Sequence, residues 1–174
     1  MHKAINIIMT RKSVRKFIDK EIEDEKIKTM LSAAMAAPSA VNKQPWDFII
    51  VNDRKLLDKL GDEMPYAKML YQAKLAIIVC GNLDKSLDGY EQEFWIQDCS
   101  NASMNILLAA HAQGLGAVWT AVYNDDSRIE KVRNILDLPD KIIPLNIIPI
   151  GYPEVVNTKE NSRYDVNNVH INKW

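Results

Sequence analysis

The pattern that most restricts the fold is a long helical run over residues 91–113. Ala102, Ile106, Leu107 and Ala110 share one face, and Gly114 is placed to cap its end. Its small residues (Ala102, Ser103, Ala109, Ala110, Ala112) let another helix approach closely, so a buried central helix is expected. Four strand candidates accompany it: residues 46–51, expected to be well buried; residues 75–80, read as a central strand bounded by Gly81; residues 117–122; and residues 144–150, ended by Gly151. A further helix is expected over 1–10, with Ile5, Ile8 and Met9 on one face. Another spans 21–37, where Ile27, Met30, Leu31, Ala34 and Met35 keep the helical period, Asp24 and Glu25 favour the start, and Pro38 stops it. Shorter helices are predicted over 53–60, ended by Gly61, over 66–72, and from an N-cap at Ser127 to about Leu136. Strands and helices alternate, yet no Gly-x-Gly-x-x-Gly follows a strand, so a dinucleotide-binding Rossmann unit is not indicated.

At 174 residues, with 47% apolar and 26% charged residues, the chain fits a single domain able to bury a proper core. A net charge of −1 argues against nucleic acid as the main partner. No apolar run approaches the roughly 20 residues of a membrane span, and Met1-His2-Lys3 lacks the core of a signal peptide. Cys80 and Cys99 make no disulfide framework, which fits a reduced cytoplasmic compartment; both read as inert core positions. His2, His111 and His170 are scattered and support no zinc site. Residues 154–174 are polar and Asn-rich but end in Val169, Ile171 and Trp174, so the segment is expected to lie on its own domain or on a partner subunit.

Arg11-Lys12-Ser13-Val14-Arg15 places three cations and a hydroxyl within five residues. Guanidinium forks match phosphate oxygens in pairs, and the hydroxyl adds a donor. Alone, the run reads first as a solvated basic patch after a helix. Three further features stand with it: residues 37–46 (Ala-Pro-Ser-Ala-Val-Asn-Lys-Gln-Pro-Trp), residues 114–119 (Gly-Leu-Gly-Ala-Val-Trp), and Arg163 within Asn161-Ser162-Arg163-Tyr164-Asp165. In this order and spacing the chain resembles the FMN-dependent nitroreductase family, in particular its short members.

The resemblance implies an α+β fold, with a mostly antiparallel central sheet flanked by helices, in an intertwined homodimer. Residues 1–174 would form one FMN-binding domain, with 152–174 an extension that wraps the partner subunit. Arg11, Lys12 and Ser13 match the positions that hold the FMN phosphate and ribityl chain, and Arg163 matches a C-terminal phosphate arginine. Arg15 matches the cation beside flavin N1 and O2. Pro38, Ser39, Ala40 and Asn42 match a loop that reaches the flavin of the other subunit. Val118, Trp119, Thr120 and Ala121 match the strand edge beneath the ring, where an amide near Ala121 or Val122 would bond N5.

The sequence departs from the pattern in three places. Many relatives carry Glu-Gly where this chain has Ala121-Val122. A second basic residue is common at the position of Asn161, a role Lys159 is placed to take over. The helix that covers the flavin in longer relatives is cut down. Trp46 and Trp119 read as core or ring-adjacent aromatics, His111 as a satisfied helix histidine, and Trp95, near Glu91, Gln92 and Asp98, as part of a solvated helix end or a pocket wall.

The expected activity is electron transfer from NADH or NADPH through FMN to a nitroaromatic, quinone or similar small acceptor, by a ping-pong route. No side chain is expected to act as a catalytic acid or base, because flavin N5 carries the hydride. The rivals are a flavin reductase or reductive dehalogenase of the same superfamily, a flavin-binding or redox-sensing module without turnover, and an anion-binding structural protein. Neither nucleic acid nor membrane is expected as a partner.

Overall fold

The computed structural model describes residues 2–174; Met1, which the predicted first helix includes, lies outside them. In chain order the elements are α1 (Lys3–Thr10), α2 (Asp24–Met35), β1 (Trp46–Val51), α3 (Arg54–Glu63), β2 (Leu75–Asn82), α4 (Phe94–Ala112), β3 (Gly116–Ala117), β4 (Thr120–Ala121), α5 (Asp126–Leu136) and β5 (Ile142–Gly151), with short 3-10 turns between some of them. The strands form one antiparallel sheet in the order β1-β2-β5, with β3 and β4 side by side on the far edge of β5. This is the α+β architecture expected.

Helices cover both faces of the sheet. Leu75, Ile77 and Val79 of β2 point towards α2 and α4, and Ala76, Ile78 and Cys80 towards α3 and α5. Both faces are buried, which is why residues 75–80 read as a continuous apolar run without alternation. Helix α4 lies across the first face with Ala102, Ile106 and Ala110 fully buried. Its small side chains bring it close enough to α2 for Asn105 Nδ2 to donate to the Ala33 carbonyl at 2.9 Å.

Several local expectations change for reasons that involve distant residues. Gly81 lies inside β2, because the Trp95 indole rests on it: a Cβ there would sit 2.2 Å from the ring. Trp95 is therefore core, not a solvated helix end. Gly61 lies within α3, with the Tyr71 ring 3.1 Å from where its Cβ would be. Helix α5 is capped by Asp125, whose Oδ1 accepts from Arg128 N at 3.1 Å, so Ser127 falls inside the helix. The single strand expected over 117–122 is two short pairings, Gly116 and Ala117 against Gly151 and Ile150, then Thr120 and Ala121 against Ile147 and Asn146. Strand β1 pairs with β2 alone among the described residues and is an edge, with Ile50 exposed, not a well-buried strand. The predicted apolar face of α1 also looks outward: Ile5 and Ile8 are about half exposed.

Candidate functional site

The basic segment starts where α1 ends. Arg11 caps that helix, its N–H donating to the Ile7 carbonyl at 3.1 Å. The chain then runs extended along the edge of the sheet. Ser13 bridges Ala117 in parallel, Val14 N donates to the Ala117 carbonyl at 3.0 Å, and Ile18 N donates to the Tyr152 carbonyl at 2.9 Å. The register-paired glycines Gly116 and Gly151 make this docking possible. A Cβ on Gly116 would lie 2.6 Å from Val14 Cγ1, and one on Gly151 2.8 Å from the Phe17 ring.

The C-terminal segment closes on the same place. Asn161 N donates to the Met9 carbonyl and Asn161 Nδ2 to the Arg11 carbonyl, both at 2.8 Å, while Asn161 Oδ1 accepts from Lys12 Nζ. Asn161, which stands where a second basic residue is expected, stitches the two ends of the chain together with three hydrogen bonds. Lys159 only folds its N–H back to Asn157 Oδ1. Two residues beyond Asn161, Arg163 stands near enough to Arg11 that burial first, and then the Arg163 charge, lower the proton affinity of the Arg11 guanidinium. His111, in the last turn of α4, shares a 2.8 Å hydrogen bond with Thr10 Oγ1. The Thr10 hydroxyl hydrogen is directed to the Asn6 carbonyl at 2.7 Å, so His111 Nε2 is the donor. Burial, then the Arg11 charge, hold the His111 pKa below its ordinary value.

Among the described residues, no carboxylate pairs with Arg11, Lys12, Arg15 or Arg163. Cations gathered without a counter-ion raise one another's energy, and an anion bound among them relieves it. The donor set (two forks, an ammonium, the Ser13 hydroxyl) suits a phosphate monoester such as that of FMN. Ser13 and Arg15 lie on the exposed side of the segment.

Pro38, Ser39, Ala40 and Asn42 lie elsewhere. Their loop is held in an unusual shape: Val41, Asn42 and Gln44 have φ of 49°, 56° and 50°, and for a β-branched residue like Val41 that conformation is rare. Ser39 Oγ accepts from Gln44 N at 2.9 Å, and Gln44 Nε2 donates to Asn42 Oδ1 at 3.0 Å. Asp98, buried near the start of α4, anchors the loop by accepting from Ala40 N at 2.9 Å. Burial raises the Asp98 pKa, and that hydrogen bond offsets part of the rise. At 1.5 Å per residue, Asp98 and His111 are about 20 Å apart along α4. The loop and the basic segment are thus anchored near opposite ends of α4. The sequence held a signal for Asp98, a lone carboxylate on the stripe Trp95, Cys99, Ala102 that faces the core.

On the predicted ring-bearing edge, Val118 is buried, Trp119 half-buried and Thr120 buried, with Thr120 Oγ1 donating to the Ile147 carbonyl at 2.7 Å. Val122 N and Tyr123 N both donate to the Leu145 carbonyl, at 3.1 and 3.0 Å, which commits the Val122 amide, while Ala121 is exposed. Met64, Pro65, Tyr66, Ala67 and Arg128 gather around Thr120 and Ala121, a neighbourhood that the sequence did not reveal. Cys80 and Cys99 are fully buried, and burial pushes the Cys80 thiol up to about 12 and the Cys99 thiol up as well, so neither supplies a thiolate. Among the described residues, no helix is long and apolar enough to cross a membrane.

A family model described as the Nitroreductase family matches residues 8–65 and 62–152. A Methanothermobacter thermautotrophicus protein, named as a candidate NADH dehydrogenase/NAD(P)H nitroreductase, is 46% identical over 98% of this chain and 87% of its own. A crystal structure carrying the same kind of name, from Parabacteroides distasonis, superposes with a TM-score of 0.93 at 49% identity, covering 100% of both chains. The structure of an FMN-dependent nitroreductase from Clostridium difficile superposes at 0.88 with 34% identity, over 98% of this chain and 99% of its own.

Proposed function

The chain belongs to the nitroreductase family, and from that premise we propose that it passes electrons from NADH or NADPH, by way of FMN, to a nitroaromatic, quinone or similar conjugated acceptor in a ping-pong sequence. Its class, an NAD(P)H-dependent oxidoreductase with FMN as cofactor, follows from the family and from relatives named NAD(P)H nitroreductase and FMN reductase (NADPH). The observation that carries the reading is the tie made by Asn161 between the basic segment and the C-terminal stretch that bears Arg163, with no carboxylate paired to Arg11, Lys12 or Arg163 among the described residues. Bound FMN supplies the hydride relay between the two substrates.

The chain's own residues bind, orient and exclude water. Arg11, Lys12, Ser13 and Arg163 hold the phosphate and ribityl chain. Arg15, which has no carboxylate partner among the described residues, serves the end of the ring that gains negative charge on reduction. Val118, Trp119, Thr120 and Ala121 form the edge beneath the ring. Pro38, Ser39, Ala40 and Asn42 close over the flavin of a second copy. The distance between the two ends of α4 supports that division of labour.

In this reading the enzyme is a homodimer whose segment 152–174 wraps the partner. Support comes from the exposure of Val155, Val156, Val166, Ile171 and Trp174, and from the open β1 edge, a row of unpaired backbone groups able to accept an extended segment. An absorbance spectrum of the purified protein with FMN, before and after NADH or NADPH and then an acceptor, tests the proposal. Bleaching by the nicotinamide and recovery with acceptor is the expected result. Flavin bound but not reduced indicates a binding module, and a colourless protein that FMN does not stabilise indicates a structural anion binder.

A further inference from the structure

Arg128 carries a part of the site that the family reading leaves unassigned. It stands in the first turn of α5, and its side chain reaches the notch formed by Met64, Pro65, Tyr66 and Ala67 against Thr120 and Ala121. Asp125 holds it there: Asp125 Oδ2 lies 3.2 Å from Arg128 Nε, while Asp125 Oδ1 caps the helix. The Asp125 charge is thus shared between the guanidinium and the positive end of α5. The two terminal nitrogens of Arg128 have no partner among the described residues. The arginines of purely structural pairs here are different: Arg54 donates to the Ala73 and Leu70 carbonyls and pairs with Asp58, and Arg133 reaches the Pro139 carbonyl and Asp140. Arg128 also lies 5.7 Å from the centre of the Tyr66 ring, a cation–π distance, and that ring is 76% exposed.

An oriented fork beside an exposed aromatic, at the rim of the edge assigned to the flavin ring, suits a flat molecule with an anionic substituent. Ala121 contributes no charge that would oppose it. We propose that Arg128 and Tyr66 select conjugated acceptors that bear a carboxylate or similar anion, with Arg128 binding the anion and Tyr66 the ring face. The proposal rests on the reading of Thr120 and Ala121 as the ring-bearing edge. For a nitroaromatic acid the overall step is Ar–NO2 + NAD(P)H + H⁺ → Ar–NO + NAD(P)⁺ + H2O: the nicotinamide is oxidised by two electrons, one N–O bond breaks, and its oxygen leaves as water.

The test uses the FMN-loaded enzyme with saturating NADH and two acceptors, 4-nitrobenzoate and its neutral analogue 4-nitrobenzamide. The readout is the ratio of their kcat/KM values. The wild type favours the benzoate, and Arg128→Gln lowers the benzoate-to-benzamide ratio about tenfold, as loss of a charge-assisted fork requires. Arg128→Lys keeps most of the preference because it keeps the charge. A role confined to holding α5 would lower both acceptors together and leave the ratio unchanged, which overturns the proposal. A rise in the KM for NADPH with no change in the acceptor ratio assigns the fork to the reductant's phosphate and also overturns it. If a nicotinamide bleaches the flavin but neither acceptor is reduced, this proposal falls and the reductase reading stands; if neither nicotinamide bleaches the flavin, both fall.

Discussion

The two ends of α4 solve opposite problems. At its C-terminal end, Arg11, Lys12, Arg163 and His111 gather from three separate stretches of the chain, and no carboxylate among the described residues balances them. The negative pole of the helix moderates that density of charge but does not neutralise it. At its N-terminal end, the buried Asp98 accepts from Ala40 N and holds a loop in which Val41, Asn42 and Gln44 take left-handed conformations. One end is electrostatically unfinished; the other is finished in shape and faces outward, with Val41 81% exposed. In the proposed dimer, the exposed loop of one copy completes the cradle of the other, which answers both the missing counter-ion at one end and the outward-facing shape at the other.

The severest way to break that comparison is to delete residues 154–174. This removes Asn161 and Arg163 from beside the basic segment and, in the proposed dimer, the apolar residues from the partner's surface, so the truncated chain should be monomeric or aggregated and should lose its flavin. Sedimentation velocity with absorbance detection reads both; a truncated dimer with full flavin occupancy would refute the wrapping. Next in size is Arg11→Ala. One charge-assisted fork is worth about 1.5–3 kcal/mol, so FMN should bind about ten- to a hundredfold more weakly by fluorescence titration. An unchanged dissociation constant would place the phosphate elsewhere. A smaller effect is expected at the other end of the helix. Asp98→Ala leaves the Ala40 N–H without its acceptor and frees the loop, with FMN affinity falling about tenfold or less. Asp98→Asn keeps an acceptor oxygen and should restore most of it; equal loss in both variants would mean that the charge, not the hydrogen bond, matters.

How much of this could be read from the sequence follows from how local each signal is. Helix α4, the apolar run of β2, the Pro38 stop and the Gly151 end of β5 depend on neighbours within a few residues, and the sequence carries them intact. Gly61 and Gly81 resemble terminators locally, yet each exists to admit a ring from another element, Tyr71 on one and Trp95 on the other. The split of residues 117–122 is set by the register against β5, and the burial of Trp95 by Gly81 and by the edge-on ring of Tyr123, 4.9 Å away. Asn161 was legible only as a departure, because its three partners lie about 150 positions earlier. The same holds for Arg128 and Tyr66, which meet Thr120 and Ala121 only through folding. Charge density along the chain shows where cations are concentrated, but not which of them have counter-ions.

The finest probe of the contrast is His111, which senses the cradle without belonging to it. Arg11 helps to hold its pKa below the ordinary 6.5. A base depressed in the folded state takes its proton more readily when unfolded, so this histidine removes stability as the pH falls through 6.5 towards its lower folded value. A phosphate bound at Arg11 offsets the positive charge that imidazolium would otherwise face. The His111 pKa should therefore rise on binding, and by linkage phosphate should bind somewhat more tightly as the pH falls through that range. Proton NMR of the imidazole C2 signals, titrated with and without inorganic phosphate, reads the change. His2 at the start of α1 and His170 in the tail serve as internal controls. In Arg11→Ala the His111 pKa should begin higher and respond less to phosphate. If phosphate at saturation moves His170 and leaves His111 where it was, the anion sits away from the C-terminal end of α4, and the electrostatic half of the contrast fails while the shape of the loop at the other end stands.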